Sequence, residues 1–388
     1  MKKAHFLLLI VFALIAFYLT DSIQCSSTQE LPLGDSVLTP STDDSVSVDL
    51  ALTGDIMGHD PIVQSAYDKS KNTYHYAPIF RYVAPYFRSC HLVIGNLEVT
   101  LGGPPYKGYP LFSSPDQLAA DLKASGYNFL LTANNHAYDR GKKGMERTLH
   151  ILDSLQIMHT GTFRDTAERQ RAYPFIWEYR GLRLAILNYT YDTNGIRVFS
   201  PNVVNLIDTF QIRTDIQKAH HMKADFILVT FHWGEQYQRQ ENLQQRQLAQ
   251  FCVDLGADAI VGTHPHVVQP VEYFSPSSDT TKKVPIFFSL GNFLSNQRTR
   301  YRDGGIIAEL TLLKKFNRTV ITKIGYHLTW VHCKQTPKTS YTIIPVQLFE
   351  ALPKTFDLTS LDSVKLMQYA TDTRHYLRNL PELKWDFR

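Results

Sequence analysis

Five apolar runs of this 388-residue chain each end directly in a cluster of polar side chains, and no other feature constrains the fold as strongly. The clusters lie at 53–59 (TGDIMGH), 95–98 (GNLE), 133–136 (ANNH), 231–235 (FHWGE) and 262–266 (GTHPH). In open α/β sheets, loops at the carboxyl ends of parallel strands meet in one crevice, which is where ligands bind. If the five runs are parallel neighbours, their polar ends form one shared site.

Apolar runs alternate with amphipathic stretches from residue 46 onward. The predicted strands are 46–53, 92–94, 129–133, 182–189, 226–231, 259–262 and 285–290. The predicted helices are 115–125, 141–155, 208–222 and 243–255. This alternation predicts an α/β fold with a parallel or mixed central sheet that helices cover. Further strands are predicted at 306–313, 320–333 and 341–346, and a terminal helix at 358–377.

The N-terminus predicts export. Lys2 and Lys3 precede an apolar run at 6–19, which is short for a bilayer span at roughly 1.5 Å per residue. Residues 1–24 are therefore interpreted as a signal peptide or membrane anchor. Cleavage, lipidation at Cys25 and retention of the segment all remain open. We expect a protein of the cell envelope, either membrane-anchored or periplasmic, whose membrane contact is made through this segment.

The remaining sequence divides into three parts. Residues 25–45 are rich in Ser, Thr, Pro and Asp and predict a flexible tether. Residues 46–315 are expected to form one large α/β domain, and 316–388 a β-rich extension with the terminal helix. The net charge of +4 argues against a nucleic-acid partner. Four cysteines are too few for a disulfide scaffold or a cysteine-rich zinc module.

The polar clusters carry the side chains of a metal site. Each cluster alone is also typical of a turn or a helix cap, so the prediction depends on their conjunction. His264 and His266 are two residues apart and project the same way from an extended chain, which Pro265 stiffens. Carboxylate, amide and imidazole donors together suit Mn, Fe or Zn. About six to eight such donors exceed one tetrahedral site and predict two divalent ions.

The ordered motifs GDIMGH, GNLE, ANNHAYDRGKKG, FHWGEQY, GTHPHVVQP and FSLGNF resemble those of the bacterial CapA family. These are poly-γ-glutamate capsule biosynthesis proteins of the calcineurin-like metallophosphoesterase superfamily, and the resemblance covers residues 48–315. It implies a four-layer α/β/β/α sandwich with mixed sheets and a two-metal centre. It also implies capsule-synthesis membrane proteins as partners.

The resemblance implies a role for each motif residue. Asp55 would open one metal site and Glu98 would bridge the two ions. Asn135 and His232 would bind the second ion, and His264 and His266 would be divided between the ions. His136 would be a general acid or a donor to the transition state. The full expected ligand set is Asp55, Glu98, Asn135, His232, His264 and His266, with His59 as a further candidate.

Two departures from the superfamily pattern leave questions open. The superfamily has Asp-x-His in its first motif, whereas here the next histidine is His59, four residues after Asp55. His59 either reaches the metal from a loop or lies outside the ligand set. Glu98 stands where the superfamily usually has an aspartate. Glutamate is longer than aspartate by one methylene group. The distance between the two expected ions, and the capacity of the site for hydrolysis, are therefore open questions.

Residues outside the ligand set receive weaker predictions. Asp139 and Arg140 are expected to stabilise their loop. Substrate contacts are predicted for Asn292, Glu235 and Arg239, with Tyr237 as a further rim residue.

Two functional hypotheses follow. The first is an exported metal-dependent hydrolase or amide-transfer enzyme that acts on an anionic polymer, a γ-glutamyl peptide or a phosphoester. The second is a non-catalytic component of a surface-polymer assembly or export complex that binds metal or polymer. Both hypotheses predict the same fold and the same export. They differ in whether substrate is turned over.

Overall fold

Two β-sheets, each covered by helices on its outer face, form the framework of the computed structural model, which describes residues 45–385. The strands are β1 Ser45–Ile56, β2 Tyr67–Asp68, β3 Thr73–Tyr74, β4 Leu92–Leu97, β5 Phe129–Leu131, β6 Met158–Thr160, β7 Thr162–Phe163, β8 Phe175–Tyr179, β9 Leu182–Thr190, β10 Val203–Val204, β11 Phe226–His232, β12 Ala259–Thr263, β13 Val271–Phe274, β14 Val284–Phe287, β15 Asn292–Leu294, β16 Gly304–Lys315, β17 Arg318–Lys334 and β18 Ser340–Pro345. The helices are α1 Asp60–Ala66, α2 Ala77–Phe80, α3 Ala84–Ser89, α4 Gln117–Ser125, α5 Gly141–Ser154, α6 Thr166–Ala172, α7 Thr209–His221, α8 Leu243–Asp254, α9 Val346–Ala351 and α10 Ser360–Tyr376, with a 3₁₀ turn at Pro353–Thr355.

The first sheet is mixed and has eight strands. Its order is β18-β17-β16-β1-β4-β5-β6, and β15 pairs with the end of β1. Strands β1, β4, β5 and β6 run parallel, whereas β16, β17 and β18 are antiparallel to their neighbours. The β-rich end of the chain therefore continues this sheet.

The second sheet has six strands in the order β13-β14-β12-β11-β9-β8. Its central strands β9, β11, β12 and β14 are parallel, and antiparallel strands lie at both edges. The carboxyl ends of the central strands consequently lie at one edge of the sheet, as the βαβ alternation predicts.

Alternating side chains of the strands bury both faces of each sheet. In β1, Val48, Leu50 and Leu52 belong to the core between the sheets, while Ala51 belongs to the core under α1 to α5. Helices α7 and α8 cover the outer face of the second sheet through side chains such as Ile216 and Val253. The resulting order of layers is helix, sheet, sheet, helix. The predicted α/β class and the four-layer arrangement are confirmed.

The five strands with polar ends are divided between the two sheets. Strands β1, β4 and β5 lie in the first sheet, and β11 and β12 lie in the second. The expectation of one central sheet is therefore wrong. Every one of these strands is apolar on both faces, because both sheets are buried on both faces, and such a pattern does not reveal which strands share a sheet.

The predicted signal peptide or anchor at 1–24 lies outside the described residues. The predicted tether at 25–45 also lies outside them, apart from residue 45. Within residues 45–385, no helix is both long enough and apolar enough to cross a membrane. The three cysteines in this part of the chain, Cys90, Cys252 and Cys333, are free thiols.

A buried ionic cluster stabilises the first sheet where β16 pairs with β17. The Glu309 carboxylate accepts hydrogen bonds from Lys323 Nζ at 2.6 Å and Tyr86 Oη at 2.7 Å. It also lies 2.7 Å from Nε2 of His327. Burial opposes ionisation of Glu309, but these three partners outweigh it and lower its pKa to about 2. The ionised carboxylate is thus held in the fold by satisfied hydrogen bonds.

We predict that Glu309→Gln lowers the free energy of unfolding at neutral pH by about 2–3 kcal/mol, the usual worth of hydrogen bonds to a buried charge. Because the folded pKa of about 2 lies below the ordinary value of 4.5, the contribution is complete above pH 4.5 and is lost as the pH falls toward 2. Urea unfolding between pH 7 and pH 3 measures the difference. An exposed control, Glu178→Gln, should cost less than about 1 kcal/mol. A difference that does not shrink at low pH would contradict this account.

Candidate metal centre

Asp55 is placed by a close approach of two backbones at the end of β1. A Cβ on Gly54 would lie 1.9 Å from the carbonyl oxygen of Gly291, so only glycine fits there. A register irregularity follows, and Asp55 pairs with Asn96 of β4 and with Asn292 of β15. The Gly-Asp motif thus positions a carboxylate rather than forming a simple turn.

Asp55 is an ionised carboxylate with strong partners. Asn96 Nδ2 donates to Asp55 Oδ1 at 2.8 Å, and His266 Nδ1 lies 2.9 Å from Oδ2. The backbone N–H of His264 donates to Oδ2 at 3.3 Å. Burial opposes ionisation, but the hydrogen bond and charge of His266 outweigh it and lower the pKa of Asp55. A carboxylate that stays ionised in the interior is suited to bind a cation.

Glu98 presents the opposite situation. It is fully buried, and neither carboxylate oxygen has a hydrogen-bond partner among the described residues. Oε1 lies 3.6 Å from Nε2 of His232 and 3.7 Å from Nε2 of His266. Burial raises the pKa of Glu98 well above its usual range, and the charge of Asp55 raises it further. An unpaired buried carboxylate costs several kcal/mol unless a cation compensates it.

His232 ends β11 and has its ring oriented by a hydroxyl. The Thr263 hydroxyl donates to the Phe231 carbonyl at 3.3 Å and lies 3.0 Å from Nδ1 of His232. Asn96 Nδ2 also lies 3.3 Å from this Nδ1. Metal binding through Nε2 requires the tautomer with its proton on Nδ1, in which the hydroxyl oxygen accepts from the Nδ1–H group. Nε2 faces Oδ1 of Asn135 at 2.9 Å. A hydrogen bond from one ring nitrogen that leaves the other free is typical of metal-binding histidines.

Three acceptor atoms therefore converge on one point. Asn135 Nδ2 donates to Asn194 Oδ1 at 3.0 Å, which directs Asn135 Oδ1 toward His232. Nε2 of His232, this amide oxygen and the Glu98 carboxylate face one another. Carboxylate, amide and imidazole groups gathered in this way are the donors that a divalent cation takes in proteins. The residues present fit a divalent metal.

His264 and His266 enter the site from a strained loop after β12. His264 has φ = 100° and His266 has φ = 58°. Residues other than glycine rarely adopt positive φ values of this kind. Nδ1 of His264 lies 3.1 Å from Nε2 of His232. Burial and the charge of His266 lower the pKa of His264 to about 3, so its imidazole is neutral and can bind metal. Strain of this kind is typical of functional sites.

Two groups of possible ligands share one residue. Ligand atoms of Asp55, Glu98 and His232 all lie within 4.8 Å of one another, and so do those of Glu98, His264 and His266. Glu98 is the common member of the two groups. Asp55 and Glu98 come from the first sheet and the three histidines from the second. The structure brings together every residue of the expected ligand set apart from His59.

His136 lies beside this cluster and is oriented by Asp139. Nδ1 of His136 is 2.7 Å from Oδ2 of Asp139, and the same oxygen accepts from the Phe112 N–H at 2.7 Å. Since a carboxylate only accepts, Nδ1 carries the proton and Nε2 is the free nitrogen. Burial raises the pKa of Asp139, and the hydrogen bond from His136 opposes this rise. Asp139 both stabilises the loop and orients a candidate proton donor.

His59 is held by a backbone N–H group and an aromatic ring. Its Nδ1 accepts from the Asn296 N–H at 3.3 Å, and its ring packs edge-on against Phe112 at 5.4 Å. Burial lowers the pKa of His59 to about 4, and the charges of His266 and His136 contribute. His59 belongs to neither group of possible ligands.

The predicted substrate residues lie in different settings. Asn292 Oδ1 lies 3.1 Å from Nδ1 of His266, so Asn292 supports a ligand. Glu235 is exposed in the loop that follows β11. Arg239 lies between two aromatic rings. Its guanidinium carbon is 4.1 Å from the ring centre of Tyr301 and 4.1 Å from the ring centre of Tyr376.

Sequence reasoning missed three residues of the site. Asn96 holds Asp55, and Asn194 holds Asn135. Tyr191 lies with its ring centre 4.5 Å from that of His264 and is part-exposed at the entrance. Tyr191 and Asn194 belong to a sixth polar cluster, YTYDTNG, directly after β9. The rule applied to the other strand ends would have found it.

Comparisons with known proteins agree with these motifs. The sequence model of the family described as "Bacterial capsule synthesis protein PGA_cap" matches residues 49–297. The "PGA biosynthesis protein CapA" of Bacillus subtilis is 30% identical over 324 residues, which cover 80% of this chain and 75% of that protein. The "Capsule biosynthesis protein CapA" of Bacillus anthracis is 31% identical over 256 residues, 61% of this chain and 58% of that protein. The resemblance to the CapA family is confirmed.

Solved structures align at lower similarity. The calcineurin-like phosphoesterase YfkN from Bacillus subtilis aligns with a TM-score of 0.43 and 15% identity, over 86% of this chain and 99% of that one. The NAD nucleotidase NadN of Haemophilus influenzae aligns with a TM-score of 0.47 and 13% identity, over 85% of this chain and 61% of that one.

We predict that Glu98→Gln abolishes the stabilisation that added Mn²⁺ or Zn²⁺ confers on the metal-free protein. The amide has nearly the shape of the carboxylate but carries no charge to offset that of a cation. Thermal unfolding with and without metal, together with the metal content, measures the loss. Glu241→Gln is the matched control, because Glu241 is also buried but pairs with Arg246 outside the site. Full metal content and an unchanged metal-induced rise in Tm in Glu98→Gln would refute the assignment.

Proposed function

The chain belongs to the bacterial capsule synthesis family PGA_cap, and from that premise we propose that it is an exported metal-dependent hydrolase or amide-transfer enzyme of the cell envelope. Its substrate would be an anionic surface polymer of the poly-γ-glutamate type. The names of the two Bacillus relatives, which refer to PGA and capsule biosynthesis, support the polymer class and the envelope location. A capsule-synthesis partner in the membrane would fit the same role.

The observation that carries the proposal is the unpartnered carboxylate of Glu98. It is shared by two groups of possible ligands that contain three imidazoles and an ionised aspartate, and it has no hydrogen-bond partner among the described residues. A purely structural core does not keep such an arrangement, since the buried charge would be replaced or paired. A site built to hold cations explains it.

The residues that would hold two divalent ions are Asp55, Glu98, Asn135, His232, His264 and His266. Their mixed oxygen and imidazole donors suit Mn, Fe or Zn. When bound, such ions polarise the group under attack and lower the pKa of water. Asn96, Thr263 and Asn194 orient these ligands through the hydrogen bonds described above, which is how outer residues tune a metal site.

His136 would supply the proton in the bond-breaking step. In hydrolysis of an amide, water adds to the carbonyl carbon and gives one proton to the free Nε2 of His136. When the C–N bond breaks, the leaving nitrogen takes that proton from Nε2, and the ring keeps its Nδ1–H group. Asp139 holds the Nδ1–H group at 2.7 Å, so the ring has one orientation and Nε2 is presented to the site. In transfer to another chain, an amine replaces water as the nucleophile, and His136 has the same task.

We predict that His136→Ala lowers kcat by about 10²- to 10⁴-fold while it leaves the metal content unchanged. Asp55→Ala should lower both. The assay combines elemental analysis of the purified full chain with a substrate panel of poly-γ-glutamate, a γ-glutamyl chromogenic amide and a chromogenic phosphodiester. His150→Ala, an exposed histidine on α5, is the matched control and should keep full activity.

The same measurements test the alternative. A polymer-binding component without catalysis would bind poly-γ-glutamate in metal-free form, and neither substitution would change that binding. This result, with no turnover on the panel, would overturn the enzyme proposal. Active protein that contains no metal would overturn the mechanism.

A further inference from the structure

We propose that Arg302, stacked on Tyr237 at the edge of the metal centre, is a specificity-determining residue that binds a carboxylate of the substrate next to the bond cleaved. Arg239 supplies a second positive charge on the same side. The chemical class assigned is a chain with a free carboxylate on each unit. The inference deepens the proposed function and rests on it for the identity of the scissile bond.

Tyr237 connects the arginine to the ligands. The N–H of Tyr237 donates to the carbonyl of Pro265 at 2.7 Å, so its loop is tied to the His264–His266 segment. The Tyr237 ring centre lies 6.0 Å from that of His266. The guanidinium carbon of Arg302 lies 3.4 Å from the centre of the Tyr237 ring. Arg302 is therefore separated from a metal ligand by one aromatic ring.

The backbone of Arg302 is tied to the same ligand. Asn292 Nδ2 donates to the carbonyl oxygen of Arg302 at 2.8 Å, while Asn292 Oδ1 contacts His266 Nδ1 at 3.1 Å. The Asn292 side chain thus lies between the Arg302 backbone and the His266 ring and contacts both. A substrate group held by Arg302 would have a defined distance to the ions.

Arg239 is held at the same rim. Its guanidinium lies between the rings of Tyr301 and Tyr376, and its buried Nε has no hydrogen-bond partner among the described residues. The hydroxyl of Tyr376 donates to the carbonyl of Arg239, which anchors the backbone. Stacked arginines are preorganised, so they lose little freedom when they bind an anion.

Neither arginine is neutralised within residues 45–385. No carboxylate lies within 4.0 Å of the guanidinium of Arg239 or Arg302. Other part-buried arginines are paired, such as Arg374 with Glu350 and Glu382. Of the two acidic residues in the loop that carries Arg239, Glu235 is exposed without an ion pair, and Glu241 pairs with Arg246. A pair of half-buried cations beside a metal centre is therefore free to bind an external anion.

The backbone of this rim is strained. Tyr237 has φ = 70° and Tyr301 has φ = 72°, although aromatic residues avoid the left-handed region. With His264, His266 and Asn194, they make up five of the ten non-glycine residues of the described chain that have positive φ. Strain that accumulates where cations and metal ligands meet indicates selection for a function rather than for stability.

The test is calorimetric titration of the Mn²⁺-loaded full chain with penta-γ-glutamate. Arg302→Ala should weaken binding by about tenfold or more, and Arg302→Lys should recover only part of the loss, because lysine keeps the charge without the planar fork. The α-carboxamide form of the pentamer should bind the wild type and Arg302→Ala equally. Arg213→Ala is the matched control, since Arg213 also lies over an aromatic ring, Phe251, but on an exposed helix. It should bind like the wild type.

The outcomes separate this inference from the proposed function. Equal binding of penta-γ-glutamate by the wild type, Arg302→Ala and Arg302→Lys, each with a normal Tm, would overturn the inference even if the enzyme turns over. If Arg302→Ala lost binding to a glycerol-phosphate oligomer but kept its binding to penta-γ-glutamate, Arg302 would recognise phosphate rather than carboxylate. That result would also overturn the inference. Arg302-dependent binding without turnover would support the inference and count against the enzyme.

Discussion

A buried carboxylate without a donor is the constraint on which the rest of the site depends. Glu98 is removed from water, and its oxygens have no hydrogen-bond partner among the described residues, although imidazoles of His232 and His266 lie within 4 Å. The neighbouring side chains are held in place around it. Thr263 contacts Nδ1 of His232, and Asn194 takes up the amide donor of Asn135, whose oxygen is thus directed toward His232.

The two-sheet architecture makes this arrangement possible. Each sheet brings its strand ends to one edge, and the carboxylates come from one edge while the histidines come from the other. The apolar core between the sheets fixes their relative position, because its side chains from β1 and β11 interdigitate. The register irregularity at Gly54 then positions the Asp55 carboxylate so that it contacts His266, which follows a strand of the other sheet.

Much of the fold followed from periodicity and from strand-end motifs. The strand predicted at 226–231 is Phe226–His232, and the helix predicted at 243–255 is Leu243–Asp254, whose start is marked by a capping box at Asn242. The division into two sheets was implied by the family resemblance but did not follow from periodicity, because fully buried strands of either sheet have the same apolar pattern. The support of Asn135 by Asn194 and the stacking of Arg302 on Tyr237 did not follow either, since both join residues distant in sequence through local backbone conformations that composition does not encode.

The separation of the ligands along the chain has a consequence for how the protein matures. Asp55 and Glu98 are synthesised about 130 residues or more before His232, and His266 and Asn292 follow later still. A chain that has emerged only as far as the first three motifs has the carboxylates and the Asn135 amide but no imidazole of the second sheet, and Fe or Zn prefers sites that include imidazole. High affinity for such an ion would arise only when both sheets have docked. Capture of the proposed ion would thus be a late event that marks completion of the fold, and the metal selected would be one available in the compartment where folding ends.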